Sequence, residues 1–302
     1  MYEDMHTPWV RAWSRRTYML VDEVRRITPK VLTEEQREFY FSNGYPLLEE
    51  VISSEWLTRL RATTDEMVEH SRTIDRSDTV FGIEPGHSAE TPRLRHVTSP
   101  VDQHPDYWRF ARDSALADIA ADLVGPNVKF HHSKLNFKWA RGGVEVKWHQ
   151  DVQFWTHTNH SSLTFGTYLY GCSPDQAPLG VIPGSHEGEL YDLYDSDGVW
   201  TRALNDSDAA ALPADRTVYL PGPAGSVTVH NCRTPALLGQ ERVGPRSAAA
   251  AAQRVQRGRF HHALYREPAA QQPHRRDRTR RADPVGGARP PPVSPVTGLV
   301  RR

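Results

Sequence analysis

Cysteine is scarce: the 302 residues hold two, Cys172 and Cys232. One pair makes no disulfide framework, and neither residue sits in a Cys-x-x-Cys zinc or redox spacing. A reducing, cytoplasmic setting fits. Long apolar runs are missing as well. No stretch approaches the roughly 20 residues of a membrane-spanning helix. Met1 to Trp13 carries acids without an apolar core, so no secretory signal is expected. Charge of one sign is also lacking: Lys plus Arg and Asp plus Glu number 37 each, so overall charge predicts no nucleic-acid or membrane partner. The absence of a Gly-rich phosphate loop, a nucleophile elbow and an internal repeat argues against P-loop, α/β-hydrolase and solenoid architectures.

The zero average conceals a discontinuity. From Arg246 to Arg302 there are thirteen Arg, no Lys and three acids (Glu267, Asp277, Asp283). Ala248 to Ala252 is a homopolymer, and aromatic residues dwindle to Phe260 and Tyr265. Before this segment the chain reads as an ordinary globular sequence, long enough for a sizeable core. Thr33-Glu34-Glu35-Gln36 is a capping box opening a helix that stops at Asn43-Gly44. Ser54 is placed to cap a second helix, along which Trp56, Leu57, Leu60, Thr64, Met67 and Val68 keep helical spacing. Trp108 to Val124 reads as a further helix ending at Gly125-Pro126. Short alternating segments then take over: 128–132, 135–139, 144–154, 162–170, 178–186, 217–220 and 226–230. Helices followed by short strands predict a mainly β fold with flanking helices, a jelly-roll sandwich.

The most informative stretch is Trp148-His149-Gln150-Asp151. Along a strand, positions i and i+2 share a face, so an imidazole and a carboxylate can converge there. With one further His they make the three-ligand face of a non-haem Fe(II) oxygenase. Fifteen His give roughly one His-x-Asp by chance. The spacing alone therefore leaves a strand-end salt bridge open as a reading. Trp148, Phe154 and Trp155 are either a dry wall beside the pair or ordinary core.

Several phrases stand in one order: His132-Ser133-Lys134-Leu135-Asn136-Phe137-Lys138, Trp148-His149-Gln150-Asp151, Leu179-Gly180-Val181-Ile182-Pro183-Gly184-Ser185-His186, and Gly225-Ser226-Val227-Thr228-Val229-His230-Asn231-Cys232-Arg233-Thr234. Together they resemble the phytanoyl-CoA dioxygenase family over roughly residues 30 to 234. The resemblance implies a double-stranded β-helix, a cupin-like jelly roll. It also implies Fe(II) as cofactor, 2-oxoglutarate and O2 as co-substrates, and hydroxylation of a small or medium organic molecule. By position, His149 and Asp151 become the first two iron ligands. Asp151 separates the chain from halogenase relatives, which carry a small residue there. Asn136, Lys134 and Thr164 become candidate contacts to 2-oxoglutarate.

The pattern fails after Thr234. The family places its third ligand there, in a His-Gly-Ser or His-Ser-Ser motif, followed by an Arg for the far carboxylate of 2-oxoglutarate. This chain continues Pro235-Ala236-Leu237-Leu238-Gly239. His230 is the nearest histidine. It falls a few residues too early in the family register, and is read first as a strand or pocket histidine, second as a substitute ligand. Skipping one base in degenerate codons for Pro235 to Glu241 permits Leu-His-Ser-Ser-Gly-Lys-Asn, with the His codon spanning Ala236 and Leu237. The expected organisation is therefore an N-terminal extension (1–29), a dioxygenase-like jelly roll (30–234) incomplete at its C-terminal end, and a disordered, frameshifted Arg/Ala/Pro-rich tail (235–302). Such a chain is expected to bind iron poorly and turn over little. Two other classes compete: a metal-free cupin-like binding module, and nucleic-acid binding through Arg275-Arg276 and Arg280-Arg281, which no aromatic interleaving supports. Neither the substrate nor the oligomeric state is legible.

Overall fold

Backbone hydrogen bonding settles where the short strands go. A computed structural model describes residues 19–139, 145–154 and 159–239, together with the backbone of 256–266. Helices α1 (Val21–Arg25), α2 (Glu34–Asn43) and α3 (Ser54–Ser71) precede the sheets, with strand β1 (Leu47–Leu48) between the last two. Then come β2 (Phe81–Ile83), β3 (Leu94–Thr98), α4 (Pro100–Gln103), α5 (Pro105–Asp113) and α6 (Ala115–Val124). The long strand β4 (Val128–Lys138) leads into β5 (Val146–His149), β6 (Leu163–Tyr168) and β7 (Leu179–Val181). Helix α7 (Asp206–Ala211), β8 (Val218–Leu220), β9 (Val227–Asn231), β10 (Ala236–Leu238) and β11 (Gln256–Arg266) complete the order.

The helix signals act as their chemistry dictates. Thr33 accepts from Gln36 N while the Gln36 side chain accepts from Thr33 N, and Gly44 ends α2 in the left-handed region at φ 78°. Ser53, not Ser54, caps α3, accepting from Trp56 N. The single helix expected over 108–124 is two, because Ser114 leaves the helical region and caps α6. Buried Arg37 donates to the carbonyls of Val24, Arg25 and Ile27, tying part of the supposed extension to α2.

Strands pair in two antiparallel sheets, β1-β9-β6-β11-β4-β3-β2 and β5-β10-β7-β8. On the outer face of the larger sheet, Leu135, Phe137, Leu163, Phe165, Val227 and Val229 pack with helix residues such as Leu60, Phe110, Leu116 and Ile119. The alternate positions face the smaller sheet, where the Tyr168 hydroxyl donates to Leu220 O and Lys138 Nζ to Gly239 O. A second apolar cluster (Tyr45, Leu179, Val181, Leu220, Ala236, Leu238) closes one end of the interior. This is the helix-flanked jelly roll expected from the element order.

The strand system continues beyond Thr234. β10 pairs with β5 and β7, and β11 runs between β4 and β6. Those two segments of the expected disordered tail therefore have strand backbones, since an open edge between β4 and β6 leaves N–H and C=O groups to be paired. Residues 240–255 and 267–302, with both Arg pairs singled out above, lie outside the described residues. Among those described, no helix is long and apolar enough to cross a membrane.

Candidate metal centre at the end of β5

His149 closes β5, and the chain then turns. The strand geometry expected through Phe154 stops here: Asp151 to Phe154 form a 3-10 turn. His149 and Asp151 nevertheless meet, Nε2 to Oδ1 at 3.4 Å. Gln150 makes the turn possible. Its fully buried amide donates to Glu189 O (2.9 Å) and Arg233 O (2.5 Å) and accepts from Tyr191 N (2.9 Å). One residue on, Val152 N donates to Cys232 O. The corner is thus pinned to two separate loops.

The His149 ring is oriented from behind. Its Nδ1 lies 2.9 Å from Lys147 O, and a carbonyl can only accept, so Nδ1 carries a proton. In a neutral ring Nε2 would then present a lone pair toward the Asp151 carboxylate. That arrangement requires positive charge at Nε2, and either a proton or a metal cation supplies it. Burial disfavours the charged ring, yet Asp151 and the carbonyls of Lys147 and Ala236 raise its pKa above the ordinary histidine value. Burial likewise opposes ionisation of Asp151, but hydrogen bonds from His149 and His230 outweigh it and hold the carboxyl well below the usual range. Nearby, burial and then the Asp151 charge push the Cys232 thiol up to about 12, so Cys232 stays a thiol.

Two neighbours on the larger sheet occupy the other carboxylate oxygen. The Thr164 hydroxyl donates to Oδ2 at 2.5 Å, and His230 Nε2 lies 3.0 Å from the same atom. Thr164 and His230 are cross-strand partners on β6 and β9. Thr164 thus supports Asp151 directly. His230 is buried and commits Nε2 to the carboxylate, while its Nδ1 has no hydrogen-bond partner among the described residues. Asn136 and Lys134 sit on β4 opposite His96 and Thr98 of β3. Neither hydrogen-bonds to the His149–Asp151 pair. Lys134 is exposed, but partial burial of its amine and the charges of Arg95 and Arg202 lower its pKa.

Of the aromatic residues singled out from sequence, Phe154 stands beside the pair. The Phe154 ring stands edge-on to His149 at 5.6 Å and contacts Trp200 at 5.5 Å. Trp148 instead packs in a satellite core with Ile182, Leu193, Leu204 and Leu212. Trp155 lies outside the described residues. Gln150 and Trp200 were missed from sequence. A glutamine between two candidate ligands offers a faint signal, whereas Trp200 lies in a long loop and offers none.

The pair His149 and Asp151 suits a divalent cation: it combines a neutral nitrogen with a fixed tautomer and an ionised carboxylate. A complete three-ligand centre does not fit. Among the described residues no group of three His, Cys, Asp or Glu is arranged to hold a metal ion.

The phytanoyl-CoA dioxygenase (PhyH) pattern matches residues 40–235. The chain belongs to this family. A probable alpha-ketoglutarate-dependent hypophosphite dioxygenase of Stutzerimonas stutzeri is 30% identical over 206 residues, covering 68% of this chain and 71% of the relative. The ectoine dioxygenase of Sphingopyxis alaskensis is 30% identical over 164 residues, covering 53% of this chain and 51% of the relative. The chain thus spans about half the length of that enzyme. In fold it resembles EctD from S. alaskensis, solved with 2-oxoglutarate and 5-hydroxyectoine: TM-score 0.62, 22% identity, 80% of each chain. EctD has also been solved with bound Fe. The family is thus one of Fe(II)/2-oxoglutarate-dependent dioxygenases with a jelly-roll fold, and its match stops one residue after Thr234.

Proposed function

We propose that this chain has the framework of an Fe(II)/2-oxoglutarate-dependent dioxygenase that hydroxylates a small or medium organic substrate. The balanced reaction consumes O2 and 2-oxoglutarate and yields hydroxylated substrate, succinate and CO2. The carrying observation is the His149–Asp151 corner, whose ring tautomer is set by Lys147 O and whose turn is clamped by Gln150. His149 and Asp151 are the proposed iron ligands, and Thr164 positions Asp151. Asn136 and Lys134 are the proposed contacts to 2-oxoglutarate, Lys134 supplying positive charge for a carboxylate. Phe154 and Trp200 keep water from one side of the His149 ring. Two buried, unbridged cysteines are compatible with action in the cytoplasm.

A metal-free binding role would leave no need for an ionised, buried carboxylate facing a tautomer-locked histidine. The test is 2-oxoglutarate-dependent succinate release with added Fe(II), compared for the chain and for Asp151→Ala. Slow release that Asp151→Ala abolishes supports the reading. Release that is indifferent to Asp151 refutes it.

A further inference from the structure

β10 runs antiparallel to β5, with Ala236 directly opposite His149 and opposite Val181 on its other side. Residues facing each other across an antiparallel pair share a face, with Cβ atoms about 4.5–5.5 Å apart. The His149 ring meets Asp151 in the interior, and Ala236 is 1% exposed, packed with interior residues Leu179, Val181 and Leu238. Position 236 therefore looks onto the His149–Asp151 pair from the neighbouring strand. A methyl group fills it, where a longer side chain would bring a donor to the pair.

Two independent lines meet at this residue. Codon degeneracy permits a shifted-frame histidine across Ala236 and Leu237, using no coordinates. Strand register places Ala236 beside His149, using no codons. On the larger sheet, His230 approaches Asp151 from β9, yet it is engaged as a hydrogen-bond donor to Oδ2, an oxygen that Thr164 also occupies. We infer that Ala236 stands at the third-ligand position of an unfinished metal site, that His230 braces Asp151 and does not ligate, and that the single change Ala236→His assembles the site. This rests on the dioxygenase reading of the His149–Asp151 corner.

The experiment titrates the full chain with Co(II) alone, following its visible absorption bands and the heat of binding. Ala236→His binds one Co(II) per chain at least about tenfold more tightly than the unsubstituted chain, and Asp151→Ala removes that gain. Ala236→Val gives no gain. Circular dichroism checks that each variant is folded. If the imidazole is too large for the site, the shorter donor of Ala236→Asp carries the same expectation. His230→Gln in the Ala236→His background keeps one Co(II) per chain and leaves its visible bands in place, as expected of a brace and not of a ligand, with affinity lowered by no more than the roughly 10–100-fold that losing a brace costs.

Shifted Co(II) bands or loss of the one-to-one stoichiometry in the His230→Gln, Ala236→His double variant overturns the inference. So do folded Ala236→His and Ala236→Asp proteins that bind no tighter than the parent. Failure of the functional reading looks different. Tight Co(II) binding by Ala236→His with no spectral response to 2-oxoglutarate, and no succinate from the Fe(II) form, leaves the site standing without the dioxygenase. Full succinate release by the unsubstituted chain leaves the dioxygenase standing without the vacancy.

Discussion

β5 and β10 lie side by side in the smaller sheet, His149 opposite Ala236, but they are finished to different degrees. The end of β5 is over-determined. Ring tautomer, turn and carboxylate are each fixed by at least one further hydrogen bond, from Lys147, Gln150 and Thr164. At the matching position β10 offers a backbone carbonyl and a methyl group, and no donor side chain. Supporting contacts of this kind orient ligands and tune what they bind, so their survival around an incomplete set is informative. The scaffold for a metal is intact on one strand, and the donor is missing from the next. The family match covers the first strand and stops just before Ala236.

Four changes sharpen this contrast. The largest effect is expected from Asp151→Ala in the Ala236→His background: Co(II) affinity falls more than about a hundredfold by calorimetry, because an ionised ligand is lost outright. Gln150→Ala comes next. It leaves two carbonyls and one N–H without their buried partner, and should lower stability by about 3 kcal/mol, read as a fall in Tm of roughly 6–12 °C. An unchanged Tm would show that the corner does not depend on this clamp. His230→Gln should lower stability by about 1.5–3 kcal/mol, the range for a hydrogen bond to a charged group, in chemical denaturation. Thr164→Val is the mildest, about 1 kcal/mol, with Co(II) binding by the Ala236→His form retained.

Much of this was legible beforehand, for identifiable reasons. The Thr33–Gln36 box and the Gly44 stop are local chemistry, and local chemistry survives into the fold. The alternating segments of the larger sheet became strands because each has one face on the helices and one in the interior. The convergence of His149 and Asp151 was expected, but the expected cause was wrong: a 3-10 turn held by Gln150, not continuous strand pleating, brings the carboxylate round. Sequence cannot show such a clamp, because its partners lie 39 and 83 residues away. For the same reason His230 and Thr164, far apart in the chain, could not be seen to share one carboxylate oxygen. The tail misled in another way. Its composition argues for disorder, yet β10 and the backbone of β11 take strand positions, because pairing demands from β4, β6 and β7 can override a poor propensity.

The coding DNA across Thr234 to Leu237 bears on how Ala236 arose; an intact frame would make the substitution native to this chain and leave its geometry unchanged. The most direct test of that geometry is a crystal structure of Ala236→His soaked with Co(II), with the metal located by its anomalous signal. The account predicts one ion about 2.1 Å from a ring nitrogen of His149, a carboxylate oxygen of Asp151 and a ring nitrogen of residue 236, with His230 still bonded to the other carboxylate oxygen. An ion bound through His230, or none between β5 and β10, would contradict it.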